Sequence, residues 1–274
     1  MNKLFFGNVQ CNNVKIHYTH TSQGFPTEVM FHGLIGNGMS WNRLAMALNH
    51  VYDIYLPDAR CHGFSECPTS GHTIQDLTLD AAEFIKTLNL APVIAIGHSM
   101  GGAMVARLAA KNPEMVSAMI LIDPPWYPPE LMTREFGEKV TEDFRGNLRR
   151  YKNMSYEELA EEARRIHPTW SEDDIRPWVK SSQQMNPDFL DVTATIPENW
   201  EEVADQITQP ALIMTGNNEY GAIVTPDILK RLVDRHPNWE ATYYENCGHN
   251  IHKDDFKRSR IDILRYLRRL TLGY

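Results

Sequence analysis

Cysteine is scarce in this chain: four among 274 residues, at Cys11, Cys61, Cys67 and Cys247. So few cannot staple a domain of this length, which excludes a disulfide scaffold. Cys61 and Cys67 stand near enough in sequence to bridge, but they are read as free thiols. No uninterrupted apolar run of about 18 residues occurs, so no membrane-spanning helix is expected. The opening segment, MNKLFFGNVQCNN, has too short an apolar part for a secretory leader, and a cytoplasmic location is the expectation. Cationic excess is missing as well. With 27 Lys+Arg against 35 Asp+Glu the net charge is −8, which argues against a nucleic-acid partner. There is no internal repeat and no phosphate-cradling G-x-x-x-x-G-K-S/T. Gly33, Gly36 and Gly38 follow an apolar run but lack the later acidic residue of a dinucleotide site. Cys61-His62, Cys67 and His249-x-x-His252 make no standard zinc set, so neither metal nor cofactor is expected.

What is present is an ordinary globular composition, 42% hydrophobic and 23% charged. Short apolar runs, Val29 to Phe31, Val51 to Leu56, Val93 to Ile96, Met119 to Ile122 and Ala211 to Thr215, alternate with amphipathic stretches. Runs of this kind suit strands buried on both faces of a parallel sheet. The stretches Ile74 to Leu88 and Met100 to Lys111 have helical spacing, and the alternation predicts a layered α/β domain. Ahead of it, Leu4 to Val9 and Val14 to Thr19 read as an antiparallel pair turned at Asn12-Asn13. The rhythm breaks after Pro124. Glu130 to Arg150, Ser155 to Ile166 and Ser171 to Met185 read as charged helices, with capping boxes at Ser155/Glu158 and Ser171/Asp174. Residues 125–205 are therefore expected as a helical insertion between core segments 1–124 and 206–274. Asp254 to Leu270 reads as a closing helix whose Lys and Arg residues form a solvated face.

The strongest chemical signal is Gly97-His98-Ser99-Met100-Gly101-Gly102, between a strand-like run and a helical one. A serine projected from so sharp a turn needs small residues two positions before and after it. Its hydroxyl is a weak nucleophile and needs a base. His249, in Cys247-Gly248-His249, follows the last strand-like run, Ala241 to Tyr244, and would share the sheet edge with Ser99. An acid must orient that imidazole. Glu219, in Gly216-Asn217-Asn218-Glu219, and Asp123, after Ile122, both lie at expected strand ends and both fit the order Ser, acid, His. Glu219 is preferred because its loop lies one strand before the histidine loop. Asp227 reads as a first-turn helix residue. For an oxyanion, the donors would be the N–H groups of Met100 and of Leu34, the latter in His32-Gly33-Leu34. Trp126 and Tyr127, at the entry to the insertion, are the expected substrate contacts.

Together, His32-Gly33, Asp58-x-Arg60-x-His62-Gly63-x-Ser65, the Ser99 hexapeptide, Gly216-x-x-Glu219 and Gly248-His249 resemble the α/β-hydrolase superfamily over almost the whole chain. The resemblance implies a mostly parallel sheet of about eight strands, a helical cap inserted after the sixth, and a Ser99–Glu219–His249 triad. Two departures stand out: Glu where Asp is commoner at the acid position, and Cys61 where glycine is usual. Serine at the elbow argues against dehalogenation and epoxide opening, which use a carboxylate there in related proteins. Hydrolysis of an ester, lactone or thioester of a small to medium apolar molecule is the leading expectation. Cleavage of a C–C bond in vinylogous diketones, and a ligand receptor with negligible turnover, are the alternatives.

Overall fold

The computed structural model describes residues 4–21, 26–187, 189–192 and 199–272. Eight strands, β1 (Phe5–Cys11), β2 (Val14–His20), β3 (Thr27–Phe31), β4 (Asp53–Pro57), β5 (Val93–His98), β6 (Val116–Ile122), β7 (Ala211–Gly216) and β8 (Trp239–Tyr244), form one sheet. Its order is β1-β2-β4-β3-β5-β6-β7-β8. Only β1–β2 and β2–β4 pair antiparallel; every other pair is parallel. The β1–β2 hairpin turns on Asn12 and Asn13, both at positive φ, the geometry a two-residue turn requires.

The near-continuous apolar strands follow from burial on both faces. Alternate side chains feed opposite cores: Val29, Ala95, Leu121 and Ile213 enter one, and Met30, Ile96, Ile122 and Met214 the other. The first face is covered by α2 (Ile74–Thr87) and α3 (Met100–Lys111), the second by α1 (Asn42–Leu48). Between β6 and β7 come α4 (Arg134–Lys152), α5 (Tyr156–Ile166), α6 (Glu172–Gln184), α7 (Phe189–Val192) and α8 (Trp200–Ala204). The α5 start has its reciprocal cap: Ser155 N–H donates to Glu158 at 2.8 Å and Glu158 N–H to Ser155 Oγ at 3.3 Å. Tyr151, Leu159, Ala163, Trp170 and Val179 give α4–α6 a small core of their own. The chain closes with α9 (Pro226–Arg235), α10 (Ile251–Asp254) and α11 (Phe256–Leu272), and Asp227 does lie in the first turn of α9.

The cysteines correct one expectation. Cys61 and Cys67 are joined as a disulfide rather than left as free thiols. The loop itself brings them together: Cys61 N–H donates to Glu66 O at 2.9 Å, and Cys61 takes a φ of 64°. Cys11 and Cys247 are free and buried.

Candidate active site

Because β3 and β5–β8 run parallel, the loops that leave them emerge at one edge. Ser99 follows β5 and sits at φ 52°, ψ −120°, a backbone conformation that β-carbon side chains rarely adopt. It is tied down by a hydrogen bond from its N–H to Ile122 O at 2.9 Å. The turn is tight enough to demand glycine. A Cβ on Gly97 would meet Gly101 O at 2.3 Å, and one on Gly101 would meet Phe31 O at 2.2 Å. Helix α3 starts at Met100, whose N–H is among the first-turn donors with no partner inside the helix.

His249 lies in the loop after β8. Its Nδ1–H donates to Asp123 Oδ2 at 2.6 Å, which leaves Nε2 as the free acceptor. Asp123 is wholly buried and densely held. Oδ1 accepts from Thr215 Oγ1 at 2.8 Å and from Val224 N–H at 3.0 Å, while Oδ2 also accepts from Ile223 N–H at 2.9 Å. The carboxylate at His249 is therefore Asp123 and not the expected Glu219. The reason is local. After β7 the chain enters a short turn in which the Asn217 side chain accepts from Glu219 N–H at 2.9 Å, and Glu219 is left exposed. That loop contributes backbone donors to the acid instead of a carboxylate to the histidine.

A second imidazole fixes the histidine loop. His98 Nε2–H donates to the His249 carbonyl at 3.0 Å, and the two rings lie 4.6 Å apart. Burial, then the neighbouring His249 and His252, hold the His98 pKa well below its ordinary value, so it acts as a neutral donor. His32 orients the other loop. Its Nδ1–H donates to Gly33 O at 2.8 Å, and its Nε2 accepts from Ala59 N–H at 2.9 Å. Gly36 N–H donates to the same Gly33 carbonyl. In a planar trans peptide the Leu34 N–H points opposite to that pinned carbonyl. Burial keeps His32 neutral, as this pair of bonds requires.

Ser99, His249 and Leu34 line one solvent-open cleft. Its opposite wall comes from the inserted helices: Phe144, Asn147, Tyr151, Ile166, His167 and Trp178. Trp126 and Tyr127, the expected substrate contacts, are not in the lining. Trp126 is buried, stacked 5.4 Å from Trp200 and 6.4 Å from Trp239, and Tyr127 packs edge-on to Phe136 and accepts at its carbonyl from Trp200 Nε1–H. Sequence reasoning gave His98 no role, and among the aromatic residues of the insertion that could line a pocket it preferred Trp126 and Tyr127 to Phe144, Tyr151 and Trp178. His98 could have been found, since it adjoins the elbow serine; no local motif separates the insertion aromatics that face the cleft from those that pack inside.

The model of the alpha/beta hydrolase fold family matches residues 29–256. N-formylmaleamate deformylase of Pseudomonas putida is 24% identical over 264 residues, covering 91% of each chain. A putative esterase/lipase of Haemophilus influenzae is 28% identical over 254 residues, 89% of this chain and 84% of that one. Among solved structures, E-2-(acetamidomethylene)succinate hydrolase superposes with a TM-score of 0.83 at 19% identity, over 97% of this chain and all of that one.

Proposed function

We propose that this chain, which belongs to the alpha/beta hydrolase fold family, is a serine hydrolase of a carboxylic ester, lactone or thioester that works through an acyl-enzyme. One observation carries the reading. The buried carboxylate of Asp123 meets His249 Nδ1 at 2.6 Å, and the free side of that imidazole opens on the cleft that Ser99 lines. The Ser99 hydroxyl attacks the acyl carbon while His249 Nε2 takes its proton. The oxyanion that forms is held by the N–H groups of Met100 and Leu34. Collapse breaks the bond to the alcohol or thiol, which leaves with the proton from His249. Water then attacks the acyl-serine, again giving its proton to His249, and the acid departs as Ser99 regains its hydrogen. Asp123 holds the imidazole in the tautomer that can accept and steadies it when charged. The helical insertion acts as the cap over this cleft.

A second reading is transfer of an acyl group from nitrogen by the same steps. It draws on the match to the deformylase over 91% of both chains. Labelling with a fluorophosphonate probe, together with turnover of a p-nitrophenyl ester series, tests the proposal. Wild type is expected to label and turn over, and Ser99→Ala to do neither. Labelling without turnover of any ester or amide would instead favour a receptor.

A further inference from the structure

Lys253 stands four residues after His249, on α10, and lines the same cleft. The residue is only 5% exposed. Among the described residues its ammonium makes no hydrogen bond and no ion pair within 4.0 Å; its one close partner is the Trp170 ring, with Nζ 4.5 Å from the centroid. The two carboxylates whose charge bears on it already accept other hydrogen bonds. Asp174 accepts from Arg43 at 2.7 Å and from Ser171 Oγ–H at 2.7 Å. Asp254 accepts from Trp170 Nε1–H at 2.7 Å and from Gly248 N–H at 3.2 Å.

The other groups facing Lys253 do not neutralise it. Its charge bears on His32, His98, His167 and His252, all four of which burial holds toward the neutral form. Among the described residues no Asp or Glu lines the cleft, in a chain whose net charge is −8. An enclosed cation with no carboxylate within 4.0 Å among the described residues is costly to keep, and burial pushes its pKa down to about 8 against the longer-range pull of Asp174 and Asp254. A carboxylate arriving from outside would remove that cost.

We propose that Lys253 is a specificity-determining residue that receives an anionic substituent of the substrate, so that the acyl compound cleaved at Ser99 is a carboxylate-bearing one, such as the half-ester of a dicarboxylic acid. This rests on the acyl-transfer reading above and narrows its substrate class. The ammonium takes the free carboxylate, and the apolar wall at Tyr151, Ile166 and Trp178 takes the remaining hydrocarbon.

The test compares two esters of matched length, p-nitrophenyl hydrogen glutarate and p-nitrophenyl pentanoate, on wild type, Lys253→Met and Lys253→Arg. Wild type is expected to favour the anionic ester in kcat/KM by about tenfold to 100-fold, the worth of one charge-assisted hydrogen bond. Lys253→Met brings the ratio of the two esters to near one, chiefly through KM for the glutarate, and Lys253→Arg restores much of it. Equal losses on both esters in Lys253→Met would mean that the lysine only supports the fold, and would overturn the inference. So would a wild type that ignores the carboxylate yet still labels at Ser99, an outcome that leaves the acyl-transfer reading standing. Absence of both labelling and ester turnover would instead remove the reading on which this inference rests.

Discussion

The two walls of the cleft are built in different ways. On the sheet side, each chemical group sits just past a strand end and is fixed by backbone: Ser99 N–H to Ile122, Asp123 N–H to Met214, and the Gly33 carbonyl to Gly36 N–H and His32. On the insertion side, helices α4–α6 enclose a small core of their own, send Leu148 of α4 into the sheet's first core, and are joined to the sheet half by polar ties as well. These include Arg43 to Asp174, Trp170 to Asp254, and Asn186 N–H to the Cys61 carbonyl. A wall made of strand ends cannot shift without breaking the sheet, so it suits atoms that must meet within tenths of an ångström. A wall of packed helices can exchange side chains without disturbing those atoms, and it suits choosing the substrate.

The largest effect should come from the sheet wall. Asp123→Asn keeps the shape but lets the amide stabilise the wrong imidazole tautomer, so kcat should fall by about 10³- to 10⁴-fold. Glu219→Gln, on an exposed turn, should stay within about twofold, as surface changes usually do. Steady-state kinetics on one ester decide this. A large loss in Glu219→Gln with a small one in Asp123→Asn would return the acid to Glu219.

Next comes a strain inside the sheet half. Glu28 on β3 is fully buried beside Ile54 and Ile94, and neither carboxylate oxygen has a hydrogen-bond partner among the described residues. Burial raises its pKa from the ordinary 4.5 to about 8, so the folded chain keeps a proton that the unfolded chain gives up. Stability contributed in this way is full below about pH 4.5 and is lost as pH rises towards about 8. By pH 7 the loss is on the order of 3 kcal/mol, because each tenfold difference in proton affinity between the folded and unfolded chain is worth about 1.4 kcal/mol. Glu28→Gln should flatten that slope. Urea unfolding of both proteins at about pH 5 and about pH 8 checks it, and equal slopes would show that Glu28 finds a partner.

On the insertion wall the expected effect is smaller and falls on a different constant. Trp178 lines the cleft and packs edge-on to Tyr151 at 5.3 Å. Trp178→Ala should raise KM for an apolar ester by about tenfold, the worth of one to two buried methylenes, with kcat nearly kept. A fall in kcat with KM unchanged would put Trp178 on the chemical side of the comparison.

The same division governs what the sequence discloses. Ser99, Met100, His249 and the Gly33–Leu34 loop are readable because each is bound to a strand end by a short motif. Gly97 is forced by an approach of 2.3 Å from Gly101, four residues on, and Gly101 by one of 2.2 Å from Phe31 at the end of β3. The acid is harder. Asp123 and Glu219 obey the same order along the chain, and the choice is made by Thr215, Ile223 and Val224, whose donors converge on Asp123 from about 100 residues away. The disulfide was hidden for a similar reason: a loop hydrogen bond, not spacing, brings Cys61 to Cys67. Trp126 and Tyr127 looked like pocket residues because they open the insertion, yet the stacking of Trp126 on Trp200 and Trp239 turns it into core. Lys253 carries no motif at all. Its interest lies in a buried ammonium with no ion pair within 4.0 Å among the described residues, which only packing reveals.

The smallest expected effect tests where the two walls touch. Trp170 Nε1–H donates to Asp254, whose other oxygen accepts from Gly248 N–H, the residue next to His249. An indole of the insertion thus helps to hold the histidine loop of the sheet. Trp170→Phe removes that donor but keeps an aromatic face for Lys253, so kcat should fall by less than about tenfold, below the full worth of one hydrogen bond to a charged group because the bond reaches His249 only through Asp254 and Gly248. Asp254, whose pKa is already raised by burial, should rise further once the indole N–H that lowers it is gone. Its protonation would release Gly248 on the acid side, so the acid limb of the kcat profile in Trp170→Phe should move to higher pH. If that limb keeps its wild-type position while kcat falls, the two walls are coupled by packing alone and the Asp254 bridge carries nothing between them.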